Sequence, residues 1–168
     1  MSQQLMLMDA IARCKPEDVE EVIVVAGARV TDLYDHGLLL AMHREPFSPD
    51  ILEVLLDHGA DPNLQIPNIR GACTKPLWCC PNAEAMKILI DHGARVYNPQ
   101  LITDLILCAY HTALNHGVRN AAEVDTLKRL HYLIKAGAPV PEVPPNALSP
   151  SAAFMLEQLR QLYPWVGL

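Results

Sequence analysis

The sequence predicts an all-α fold built as a stack of helical hairpins, and three observations carry that prediction. Four segments, VVAGARV, LDHGADP, IDHGARV and IKAGAPV, share a Gly-Ala pair at Gly27, Gly59, Gly93 and Gly137. Each glycine is preceded at its third and fourth positions by apolar residues: Val24 and Ile23, Leu56 and Leu55, Ile90 and Leu89, Ile134 and Leu133. The intervals between the glycines are 32, 34 and 44 residues, and self-similarity at a period near 33 marks stacked repeats. Composition agrees. Aromatic residues are only 5% of the 168, while Leu, Ile, Val and Ala are abundant, which suits thin helical layers better than a sheet sandwich.

The helix ending at each Gly-Ala is the easier one to place. Pro16 opens the first, running to about Ala26 with Val19, Val22, Ile23 and Val24 on its inner face. Ser48 caps the second, with Pro49 at the first helical position, where its missing N–H costs nothing. Leu52, Leu55 and Leu56 then fall on one buried face, and Gly59 closes the helix in the left-handed conformation. Pro81-Asn82 opens the third, with Met86, Leu89 and Ile90 facing inward. The fourth is expected from about Ala122 to Ala136, with Leu127, Leu130, Leu133 and Ile134.

A single amphipathic helix cannot bury its apolar face alone, so each requires a partner upstream. The candidates are Gln4–Cys14, His36–Arg44, Pro76–Cys80 and a longer Pro99–His116, whose length accounts for the interval of 44. A last helix, capped by Ser149-Pro150 and carrying Phe154, Met155, Leu159 and Leu162, would cover the end of the stack, as terminal repeats do. Turn-rich segments, Arg29–Asp35, Asp61–Ala72 and Arg95–Asn98, follow the glycines. The expected organisation is one domain over 1–168, with repeats near 4–34, 35–68, 69–98 and 99–141 and a capping helix near 148–163.

These residues resemble the ankyrin repeat. The pattern LLxxGADxN stands almost intact as Leu55-Leu56-Asp57-His58-Gly59-Ala60-Asp61-Pro62-Asn63 and again in Leu89-Ile90-Asp91-His92-Gly93-Ala94. Around Gly27 and Gly137 it is weaker. The first-helix signature Thr-Pro-Leu-His-x-Ala is degenerate: Lys75-Pro76-Leu77-Trp78-Cys79-Cys80 keeps Pro-Leu, and His36-Gly37-Leu38-Leu39-Leu40-Ala41 keeps Leu and Ala. The resemblance covers roughly residues 5–140. It implies an ankyrin-repeat solenoid of helix-turn-helix units with protruding loops, working as a protein-binding platform rather than a catalyst, with partners held on the concave side by loop tips and first helices.

Charge and cysteine usage bound the remaining classes. A formal net charge of −6 with no Lys/Arg cluster argues against nucleic acid as ligand. Glu17, Asp18, Glu20 and Glu21 read as the solvated first turns of a helix, where carboxylates are favoured. Five irregularly spaced cysteines make a poor disulfide framework and suit a reducing compartment. The N-terminus, MSQQLMLMDAIARC, has no basic region before its apolar stretch, so no signal peptide is expected. The apolar runs are too short to span a membrane. The expectation is a cytoplasmic protein, monomeric when free.

Catalytic and metal chemistry finds little support in the spacings. Cys73, Cys79 and Cys80 lack the two-residue separation of a structural zinc site. His43-Arg44-Glu45 matches half of a zinc-deaminase signature, but the Pro-Cys-x-x-Cys half is absent. His58, His92 and His116 each precede a glycine at a helix end, where a partly protonated imidazole complements the helix dipole. No catalytic residue, metal ligand or cofactor is assigned. Tyr34, Ile66, Arg70, Trp78 and Tyr97 are of the types that dominate interface hot spots and lie in segments expected at the partner-binding face; Ile69 shares that loop. Alternatively, Ile66 and Ile69 tuck under the loop and Tyr97 covers the next helix. The functional expectation is a non-catalytic module that binds another protein, in its more specific form a small inhibitor, a toxin-neutralising immunity protein or an effector. The competing expectation is an enzyme or zinc protein using Cys73, Cys79 and Cys80.

Overall fold

The computed structural model describes residues 2–28, 36–67, 73–96, 101–102, 105, 121–138, 157 and 161. Its regular structure is helical apart from one short strand pair. In order come α1 (Gln3–Arg13), α2 (Pro16–Val24), α3 (His36–His43), α4 (Pro49–Asp57), the strands β1 (Ile66–Pro67) and β2 (Cys73–Thr74), a 3-10 turn (Pro76–Cys79), α5 (Ala83–Asp91) and α6 (Ala121–Lys135). Residues 1–94 form one compact unit and 95–168 a second.

In the first unit α1 packs on α2 and α3, and α4 packs on α2, α3 and α5. The core between them is aliphatic: Leu7, Ile11, Met42, Ile51, Leu52, Leu55, Met86 and Leu89 are each fully buried. Burial is uneven along the unit. The helix α5 buries Ala83, Ala85, Met86, Ile88 and Leu89, whereas α2 buries only Val19. The expected inner positions Val22 and Ile23 are half-buried, and Val24 is 63% exposed. The reason lies in the contacts: α2 packs on α1 and α4, and Val24 lies on the face they leave open. On α5, Ile88 rather than Ile90 is buried, and Ile90 at the helix end is half-buried.

The repeated Gly-Ala pair has a mechanical explanation. At Gly59 (φ +96°) the glycine N–H donates to Leu56 O at 3.0 Å and the Ala60 N–H to Leu55 O at 3.0 Å. These are the two bonds of a Schellman closure, which satisfies carbonyls the helix would otherwise leave orphaned. The same two bonds recur from Gly93 and Ala94 to Ile90 and Leu89, and from Gly137 and Ala138 to Ile134 and Leu133. The alanine that follows the glycine is buried at Ala28, Ala94 and Ala138, so a small residue is needed there. At Gly27 the closure differs: the Ala28 N–H reaches Val22 O at 3.4 Å.

The expected helix over Pro76–Cys80 is instead a single 3-10 turn, Pro76–Cys79. Two prolines explain it. Pro76 starts the turn, and Pro81 disfavours the helical region for the residue before it; Cys80 is accordingly extended at φ −58°, ψ 125°. The strand pair was not expected either. It is antiparallel, with Ile66 opposite Thr74 and Pro67 opposite Cys73.

In the second unit α6 matches the expected fourth helix, with Leu130, Leu133 and Ile134 buried; the Leu127 side chain lies outside the described residues. Leu101 and Ile102 are helical and buried, while the rest of the expected Pro99–His116 helix lies almost wholly outside the described residues. So does the expected capping helix, of which Glu157 and Gln161 are described, both helical. Among the described residues, no helix is long and apolar enough to cross a membrane.

Candidate functional site

The one predicted interface side chain that the structure places is Trp78. It sits in the 3-10 turn, where its N–H donates to Lys75 O at 2.9 Å. Pro76 and Leu77 before it and Cys80 after it are buried, and the turn packs on α3 and α5. Trp78 itself is 41% exposed. An indole presented from a backbone pinned on both sides loses little freedom when a partner covers it, which is what makes a good anchor.

Ile66 lies in β1 opposite Thr74, so its backbone is part of the short ladder, and its side chain is outside the described residues. Tyr34, Ile69, Arg70 and Tyr97 also lie outside them. Of the five predicted residues, Trp78 alone has a described side chain. The antiparallel pair of β1 and β2 brackets residues 68–72 in the sequence.

The loop after α4 is tied to the next helix pair. Asn63 N–H donates to Asp61 Oδ1 at 2.8 Å, a local turn closed by the aspartate side chain. The Asn63 amide then donates to Gly93 O at 3.0 Å. A second bridge joins the same two helix ends. His92 Nδ1 lies 2.8 Å from Ile88 O, and Nε2 lies 3.1 Å from Asp57 Oδ1. The bond to Ile88, together with the hydrogen bond and charge of Asp57 and the charge of Glu53, raises the imidazole pKa above its ordinary 6.5 against the opposing effect of burial. Of the three histidines expected to complement the dipole at helix ends, His92 lies against a carbonyl of its own helix.

Neither bridge was foreseen, although the signal for one is in the sequence. The residue two before each repeat glycine is Val25, Asp57, Asp91 or Lys135, and the residue one before is Ala26, His58, His92 or Ala136. A histidine can reach the acidic residue of the preceding repeat only for the His92 and Asp57 combination. His58 would meet Val25, which offers no acceptor.

Cys14, Cys79 and Cys80 carry free thiols. Cys80 Sγ donates to Pro76 O at 3.6 Å, inside the turn. Cys14, at the left-handed end of α1, accepts a hydrogen bond from Arg44 Nε and donates to Pro46 O at 3.7 Å, joining the first helix pair to the second. Among the described residues no group of three His, Cys, Asp or Glu side chains could hold a metal ion; the Cys73 side chain is not among them. Comparison with protein-family models, curated proteins and solved structures finds no match to this chain.

Proposed function

We propose that the chain is a degenerate ankyrin-type repeat solenoid that acts without catalysis, as a binding module for another protein. Its binding face is formed by the loops and first helices, with Trp78 as an anchor and with Tyr34, Ile66, Arg70 and Tyr97 contributing from the loops. The observation that carries this reading is the exposed indole of Trp78 on a turn whose flanking residues are buried. Tryptophan is among the residues most enriched at binding hot spots. The recurrence of the Schellman closure at Gly59, Gly93 and Gly137 supports the repeat character. The −6 charge suits a small cytoplasmic inhibitor, of the kind that neutralises a toxin or engages a host factor.

The test is affinity capture of the tagged protein from its cell of origin, with mass spectrometry of what is retained. Wild type and Lys87→Ala, on the opposite helix of the repeat, should recover the same partner. Trp78→Ala and Trp78→Leu should each reduce its recovery about tenfold or more. The leucine variant keeps apolar cover over the turn, so a loss shared by both variants is not an unfolding effect. Undiminished recovery with both would overturn the reading. One equivalent of zinc in the purified protein would favour the metal-protein alternative instead.

A further inference from the structure

We propose that the seam between α1 and α2 is a second docking groove, and that its occupant is a basic amphipathic helix of a partner protein. On α1, Met6, Asp9, Ala10 and Arg13 line a groove of about 380 Å³, and their spacing of i, i+3, i+4, i+7 places them on one face. On α2 and its C-terminal cap, Asp18, Glu21, Val22 and Val25 line the other wall at the same spacing. The groove therefore runs along both helices for about two turns rather than forming a local pit.

Its floor is apolar, and its α2 wall is acidic. Met6 and Val22 are half-buried, and Val25 at the lip is 77% exposed. Methionine adapts to the shape of whatever packs on it. The ion pair between Arg13 and Asp9 uses the one cation that lines the groove among the described residues. Asp18 and Glu21 form no ion pair among the described residues, and Glu17 and Glu20 add to the charge of the same helix.

That combination selects the occupant. Two helix walls expose no unpaired strand edge, so they accept an inserted helix rather than an added strand. The apolar floor requires an apolar stripe, and the acidic α2 wall requires Lys or Arg beside it. Nucleic acid and anionic membrane surfaces would be repelled. A second copy docked about a two-fold axis would set the acidic α2 against itself.

The probe is a fluorescein-labelled 18-residue peptide of Leu and Lys at amphipathic helical spacing, titrated by anisotropy. A Leu/Glu peptide of the same spacing is the control. The basic peptide should bind, more weakly as salt is raised, and the acidic one should not. Asp18→Lys with Glu21→Lys, and separately Val25→Asp, should each weaken binding about tenfold or more. The matched pair Asp50→Lys with Glu84→Lys, also in first helical turns, should change it less than about threefold, as remote surface changes do. The methyl resonance of Met6 should shift on binding. Equal weakening by the two acidic pairs would mean unspecific attraction and overturn the proposal. Absence of binding, or a dimer in sedimentation that Val25→Asp abolishes, would do the same.

Discussion

His92 joins two successive helix ends, with Nδ1 2.8 Å from Ile88 O on its own helix and Nε2 3.1 Å from Asp57 Oδ1 on the helix before. Both partners can only accept hydrogen bonds. A neutral imidazole has one N–H, so it can satisfy one of them and must present a lone pair to the other. The imidazolium satisfies both. The arrangement therefore selects the charged ring, and the raised pKa follows from the two acceptors.

This makes stability depend on pH with a defined sign. A group whose folded pKa lies above its unfolded value binds its proton more tightly in the folded state. The stabilisation is fully present below the unfolded value near 6.5 and is lost as pH rises through the folded pKa. His92→Gln should therefore lower the urea midpoint at pH 5.5 and have a smaller effect at pH 8. The pair is partly exposed, so the difference should be about 1 kcal/mol or less. Asp57→Asn should reduce the same pH-dependent part, because it removes the charge that favours the proton. An effect of His92→Gln that grows toward pH 8 would show that the ring is held neutral.

Gly59→Val should cost on the order of 1–2 kcal/mol, the penalty for a side chain in the left-handed region. Apart from the adjoining residues, no atom lies within 4 Å of a Cβ built at Gly59, so local backbone strain rather than collision with the rest of the fold sets the cost. Gly59→Asn should cost less, since asparagine tolerates this conformation better. Urea denaturation distinguishes them. Identical midpoints for Gly59→Val and wild type would remove the left-handed closure as the role of this residue.

The closure was legible in the sequence because it is local. Gly59 and Ala60, like Gly93 and Ala94, bond to carbonyls within five residues, and their identity follows from φ and size alone. The helices of Pro49 and Asn82 were legible for the same reason. The strand pair was not, because the pairing of Ile66 with Thr74 leaves no periodic mark in two-residue strands. Burial on α2 was misjudged at Val24, since periodicity reports an apolar face but not whether a neighbour covers it. Of the candidate site, Trp78 was readable by residue type. The anchoring of its turn came from Pro81, five residues after Pro76, which cuts the expected helix short.

The N-cap residues of α4 and α5 should differ in energy. Asn82 Oδ1 accepts from the Ala85 N–H at 2.8 Å, whereas the Ser48 side chain makes no capping bond to α4. Asn82→Ala should cost about 1 kcal/mol, the usual loss of a working N-cap. Ser48→Ala should fall within a few tenths, as changes that break no contact do. Thermal melts of the two variants decide between them, and a larger loss at Ser48 would contradict the described geometry.

Leu89 and Ile90 form one of the apolar pairs that precede the repeat glycines, and periodicity weighs them equally. The fold does not. Leu89 is 0% exposed and lies on α5 where that helix packs between α4 and the 3-10 turn, while Ile90 at the helix end is half-buried. Truncating a fully enclosed leucine loses its transfer energy and leaves a cavity that close-packed neighbours cannot collapse into. Leu89→Ala should therefore destabilise by about 2–5 kcal/mol. Ile90→Ala removes a side chain that water already reaches, so less transfer energy is lost and little cavity remains; its cost should be clearly smaller. Ile88→Ala, another buried position, should resemble Leu89→Ala rather than its other neighbour. Chemical denaturation of the three variants gives the order directly, and Ile90→Ala as the most destabilising would show that α5 buries a different face.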